Sequence, residues 1–226
     1  MTMKNVKPGA MNREDLIAAM TEELTPVRRI RPRDGAALII FATVVAAIGC
    51  SVVFGFWTGM IDGSASPFFW ISNGLLAIVG ASSATALVAS AVPRVGARNS
   101  STTWSTAMLS VLPIAAIITL ISVEAGHDHG TSMSDAGALY WECAAYGLAA
   151  SSIVALAAIM FLRRGAPVAP DRSGWLVGLT SGALGALAYN ITCPLDGFLH
   201  TAIWHVVPVF VAGVFWRYAA PPLIRW

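Results

Sequence analysis

Residues 36–57 read AALIIFATVVAAIGCSVVFGFW, with no Asp, Glu, Lys or Arg among them. A helix needs about 20 apolar residues to cross the hydrocarbon core of a bilayer, where only a helix or a closed barrel satisfies every backbone polar group. The run therefore reads as a transmembrane helix. Working outward from it, comparable runs at roughly 68–92, 103–123, 139–162, 174–192 and 197–219 make six spans. Composition agrees, with 56% hydrophobic and 12% charged residues in 226, against roughly 25% charged in an ordinary soluble domain. The sequence predicts an all-α integral membrane protein, a six-transmembrane-helix bundle, with residues 1–35 as a cytoplasmic tail and residues 36–226 as the membrane domain.

Orientation follows from the basic residues. Lys4, Lys7, Arg13, Arg28, Arg29, Arg31 and Arg33 precede the first run; Arg94 and Arg98 follow the second; Arg163, Arg164 and Arg172 follow the fourth; Arg217 and Arg225 close the sixth. Retained loops carry the Lys/Arg excess, so the tail, the second and fourth loops and the C-terminus are predicted to face the cytoplasm of an inner membrane. Trp57, Trp70, Trp104, Trp141, Trp175 and Trp216 fall near run ends, where an indole buries its ring and keeps its N–H wet. The charged stretch before Ala36 is too long for a signal-peptide n-region, and the helix is expected to be retained. A net charge of +2 reflects this orientation and gives no sign of direct nucleic-acid binding.

No Asp, Glu, Lys or Arg lies in the middle of a run, which argues against a transporter or channel. Pro113 and Pro208 are expected to disturb helical hydrogen bonding locally. Gly174, Gly178 and Gly182, at four-residue spacing, with Gly185 beside them, allow close backbone approach either within the bundle or in a homodimer.

The tail has a different pattern. Asn12 is a good N-cap residue, Glu14 and Asp15 suit a first turn, and a helix over about 12–24 is predicted. Leu16, Ile17, Met20 and Leu24 share one face by their three- and four-residue spacing. Such a face needs a cover, either a protein groove or the lipid surface. Membrane-surface helices carry Lys and Arg on the polar side, whereas this one sets Glu14, Asp15, Glu22 and Glu23 against Arg13. A protein partner is the better fit.

The outer face gathers polar chemistry. Cys50 lies within the first run, where a thiol behaves as a small hydrophobe. Cys143 opens the fourth run and Cys193 follows the fifth, so both are predicted on the periplasmic side, where thiols pair by oxidation or ligate metal. His127, His129, His200 and His205 map to the same side. Together these donors suit a transient zinc, cadmium or similar ion, although no standard zinc spacing is present. The alternatives are a solvated turn for His127 and His129, a local hydrogen bond from His200 to Asp196, and an unidentified buried partner for His205. An integral-membrane thiol or haem redox enzyme is the rival function, weakened by the lack of a Cys-x-x-Cys pair and by His205 being the one histidine inside a run.

The stretch Gly182-Ala183-Leu184-Gly185-Ala186-Leu187-Ala188-Tyr189, then Cys193-Pro194, Phe198, Trp204 and Arg225-Trp226, with Leu16-Ile17 and Thr25-Pro26-Val27-Arg28 in the tail, resembles the negative-regulator-of-sigma-F family of six-helix membrane anti-sigma factors. The resemblance implies that the chain is not an enzyme and that its partner is an extracytoplasmic-function (ECF) sigma factor. That partner would be held at the cytoplasmic side and released under heavy-metal or oxidative stress. It also implies that Cys143 and Cys193 correspond to the family's paired periplasmic cysteines.

Overall fold

The computed structural model describes residues 12–22, 31–92, 100–124, 140–165 and 167–224. Every regular element among them is helical: α1 (Arg13–Glu22), α2 (Pro32–Phe54), α3 (Gly59–Asp62), α4 (Pro67–Ser90), α5 (Ser101–Glu124), α6 (Trp141–Leu162), α7 (Pro170–Asn190), α8 (Phe198–His200), a π-helical turn (Thr201–Val206) and α9 (Val207–Ile224). The long helices coincide with the six apolar runs. Pro32, Pro67 and Pro170 sit in the first turns of α2, α4 and α7, where a missing N–H costs nothing. Ser66 caps α4 by accepting the Phe69 N–H at 3.2 Å. Gly55, at φ 85°, stops α2 in a conformation that other residues avoid.

Among the described residues four helical stretches, Pro32–Phe54, Pro67–Ser90, Trp141–Leu162 and Phe198–Ile224, are long and apolar enough to cross a membrane. Their outward faces carry Phe41, Val52, Ile71, Ile78, Leu156 and Phe215, all exposed. In α7 the residues are more polar, and the reason is its position. It packs against α9, α6, α4 and α2, and most of its length is buried, Thr180, Ser181 and Asn190 included. A helix sheathed by neighbours is not selected for lipid solubility, so its composition drifts toward small residues that permit close contact. A Cβ on Gly178 would strike the backbone of Ala212 and Gly213 in α9, and one on Gly185 would strike the backbone of Ser151 in α6. The glycine row is thus spent within one chain, not held open for a second copy.

Successive helices run in opposite directions. Gly35 at the start of α2 meets Phe161 at the end of α6, and Gly174 at the start of α7 meets Trp216 and Arg217 near the end of α9. At the other end, the Trp57 N–H donates to the Ile191 carbonyl at 3.3 Å, and the Ser66 N–H to the Asp196 carboxylate at 2.6 Å. Arg33, Arg163, Arg164, Arg172 and Arg217 therefore share one end, and the cysteine-bearing loops the other. Pro113 sits inside α5 without ending it. Pro208 has a larger effect. It cannot donate to the Trp204 carbonyl, and the wide π turn lies directly ahead of it, one of the usual ways a helix absorbs such a break.

The tail helix forms as expected, with the Leu16 N–H closing its first turn on the Asn12 carbonyl at 3.0 Å. All of its described residues are exposed.

Candidate functional site

A small cluster caps the end of the bundle opposite the arginines. Its apolar wall is built from Ala46, Cys50, Ala150, Ala188 and Tyr189, with Trp204 packed against it. Into this wall α6 delivers Cys143 from its first turn, where the Cys143 N–H bonds the Tyr140 carbonyl at 2.9 Å. The turn that ends α7 delivers Cys193, whose N–H bonds the Asn190 carbonyl at 3.3 Å. His200 ends α8 and His205 lies in the π turn.

These four side chains converge. One donor atom from each lies within 4.8 Å of all the others, and all four residues are buried. Cys193 Sγ is 3.5 Å from His200 Nε2, which is 3.2 Å from His205 Nε2. The Tyr189 hydroxyl donates to Cys143 Sγ at 3.6 Å, and the ring of Tyr189 stacks on His205 with centroids 5.7 Å apart. Tyr140 packs edge-on to His200. Both Nδ1 atoms are buried with no hydrogen-bond partner among the described residues. All three cysteines are free thiols. The Cys193 thiol, between α7 and α8, is pushed up from its ordinary range by the hydrogen bond it shares with Cys143 and then by burial.

The spacing of the histidines explains how both reach the same point. Residues five apart on an α-helix diverge by about 140°. A π turn closes i→i+5 hydrogen bonds and brings such residues over one another. Sequence reasoning offered His200 as a metal ligand or, alternatively, as a local hydrogen-bond partner of Asp196; the Asp196 carboxylate takes the Ser66 N–H, and the imidazole turns to Cys193 and His205. It also left His205 without a partner, which proves to be His200. The contribution of Tyr189 was missed, although it closes the glycine-rich stretch of α7. Asn190, one residue on, anchors the turn by donating to Asn73 of α4 at 3.1 Å.

Leu16, Ile17 and Met20 are 45%, 54% and 65% exposed on α1, at the arginine-rich side of the sequence. Leu24, His127 and His129 lie outside the described residues. Cys50 borders the cluster but offers no donor to it.

Comparison with known proteins gives a consistent picture. A family model described as "Negative regulator of sigma F" matches residues 20–226. The chain is 35% identical over 65 residues to a protein named anti-sigma-F factor NrsF of Caulobacter vibrioides, a match covering 29% of this chain and 30% of that protein, so it spans less than a third of that relative's length. It is 26% identical over 166 residues to a protein named probable anti-sigma-F factor NrsF of Azospira oryzae, covering 71% of this chain and 73% of that one. No solved structure matches.

Proposed function

The chain belongs to the negative regulator of sigma F family, regulators and not enzymes, and on that premise we propose that it is an inner-membrane anti-sigma factor whose tail captures an ECF-type sigma factor. In this reading α2, α4, α5, α6, α7 and α9 are six spans, both termini are cytoplasmic, and lipid covers the outward faces. Support for the orientation comes from the arginines gathered at one end of the bundle.

The observation that carries the reading is the unused apolar side of α1. Leu16, Ile17 and Met20 stand in solvent although each could bury against the bundle or another protein. Fully burying one such side chain is worth about 1.5–3 kcal/mol, and with 45–65% of each still exposed roughly half of that remains to be gained at each. The partner supplies the groove that the chain lacks. Holding sigma there keeps it from core polymerase.

Cys143 and Cys193 form the sensing half. They sit at the far ends of α6 and α7, helices whose other ends reach the arginine-rich side. Chemistry at the cysteines that reshapes the loop after α7 would alter the packing of α4, α6 and α7 and thereby release the tail. Such coupling requires two bundle states that both sites bias.

The test is capture of purified ECF sigma factors by the full-length chain in detergent micelles. The wild type should bind one of them, and Leu16→Asp and Met20→Asp should each weaken that binding at least about 100-fold, roughly 3 kcal/mol. Equal binding by the charged variants would remove α1 from the interface. In cells, Cys143→Ser combined with Cys193→Ser should keep repression and lose induction by cadmium or oxidant.

A further inference from the structure

We propose that Cys143, Cys193, His200 and His205 together bind one divalent d10 ion, Zn2+ or Cd2+, as a tetrahedral two-thiolate, two-imidazole centre. This makes the histidines ligands in their own right, and makes ligation, not disulfide formation, the chemistry of the site. That the ion is the signal rests on the anti-sigma reading; that it binds does not.

Geometry is the first support. With Zn–N near 2.0–2.1 Å and Zn–S near 2.3 Å, a regular tetrahedron has N–N edges of about 3.3 Å and N–S edges of about 3.6 Å. The structure has His200 Nε2 to His205 Nε2 at 3.2 Å and Cys193 Sγ to His200 Nε2 at 3.5 Å. Cys143 Sγ lies within 4.8 Å of the other three donors. A centre of this size fits with movements of a few tenths of an ångström at the nitrogens and somewhat more at Cys143.

The second support is the facing of the two imidazoles, whose Nε2 atoms share a single N–H at most, because one ring must donate to the other. An ion accepts both Nε2 lone pairs at once, which no arrangement of one shared proton does. A disulfide between the cysteines would leave the histidines unanswered.

Charge and softness select the ion. The site is buried and contains no carboxylate among the described residues, so it disfavours magnesium and calcium. Two thiolates balance a 2+ ion to zero, the charge a buried site tolerates best. On binding, each thiol loses its proton to solvent and each sulfur donates a lone pair, with no electron transferred. Ligating histidines normally pass their other N–H to a carbonyl or carboxylate, and loss of such support weakens binding 10–100-fold. The Nδ1 atoms, unpartnered among the described residues, therefore describe an exchangeable site, suited to a sensor more than to a permanent structural ion. The ion would bind α6, the turn after α7 and the π turn into one unit.

The experiment uses the reduced full-length chain in detergent, titrated with Zn2+, Cd2+ and, as a spectroscopic stand-in, Co2+. One ion per chain is expected, with tetrahedral visible bands for Co2+ and thiolate charge-transfer absorption for Cd2+. X-ray absorption of the Zn2+-loaded wild type should count two sulfur and two nitrogen ligands, a result that needs no variant to fold. His200→Ala and His205→Ala should bind at least tenfold more weakly. Cys143→Ser and Cys193→Ser should lose sulfur absorption. A reduced, monodisperse wild type that binds none of these ions, or a ligand count with sulfur alone, overturns the proposal. Metal is read without sigma and sigma capture without metal, so failure of one reading leaves the other standing.

Discussion

The two ends of this molecule treat side-chain burial in opposite ways. In α1 every residue is exposed, apolar ones included, whereas Cys143, Cys193, His200 and His205 are polar or ionisable and almost wholly buried. Apolar groups left in solvent and polar groups withdrawn from it are both unfavourable, and both persist where something absent from the isolated chain resolves them. In the proposed reading the tail meets a protein surface, and the helix needs little support beforehand because the partner completes it; the buried cluster meets an ion, and four donors must be in place in advance because a small ligand brings no scaffold with it.

The contrast predicts very unequal tolerance to substitution. Gly185→Val should be the most damaging change, since its side chain would enter the backbone of Ser151 and a backbone cannot step aside as a flexible side chain can. A cost upwards of about 3 kcal/mol is expected, a large part of a folded protein's margin. Size-exclusion of a fluorescent fusion should show aggregated or absent protein. Gly49→Ala meets open space, and it should leave the profile unchanged. Leu16→Asp, expected to weaken capture at least about 100-fold, should also leave it unchanged. A tail variant that unfolds the bundle would show that α1 packs on it after all.

The difference also marks how far sequence reading reaches. The helices were legible because uninterrupted apolar runs of span length have few other interpretations, and the tail helix because Asn12 and the spacing of Leu16, Ile17 and Met20 are local signals. That Cys143 and Cys193 share an end followed from counting spans. The histidines were not legible in the same way. His200 and His205 are five apart, a spacing that a regular helix splits across its surface, and their meeting depends on a π turn that no simple pattern announces. Pro208 was a visible cue that the helix is disturbed there, but it gave no direction. Proximity in sequence made His200 one alternative partner for Asp196, whereas the tertiary fold offered it Ser66, the N-cap of α4, far away in the chain.

That bond between Asp196 and Ser66 joins the site's loop to α4, and breaking it should produce a smaller effect than the glycine substitution. The Asp196 carboxylate accepts the Ser66 N–H at 2.6 Å, while the Ser66 hydroxyl donates to the Asp196 carbonyl at 3.1 Å. A hydrogen bond to a charged group is worth about 1.5–3 kcal/mol. For a chain of this size each kcal/mol moves the melting temperature by about 2–4 °C. Asp196→Ala should therefore lower thermal stability in detergent by several degrees, and Asp196→Asn, which keeps an accepting oxygen, by less than half as much. Equal losses in the two variants would mean that the charge matters more than the bond.

The smallest effect tests whether the tail binds as a helix. On a helical wheel Ala18 lies about 200° from Leu16, away from Ile17 and Met20, so its methyl adds nothing to an interface on that apolar side. Exchanging Ala for Gly in an exposed helix costs about 1 kcal/mol of helix stability. A ten-residue helix is marginal alone in water, so a partner that needs it helical must supply that difference. Ala18→Gly should then weaken sigma capture about fivefold while the bundle's melting temperature stays the same. Unchanged affinity would mean that the tail binds in an extended form, with Leu16, Ile17 and Met20 read as a sequence and not as a face. A loss as severe as that of Leu16→Asp would mean that the Ala18 side touches the partner too, and that the tail is gripped all round, in place of lying with one face in a groove.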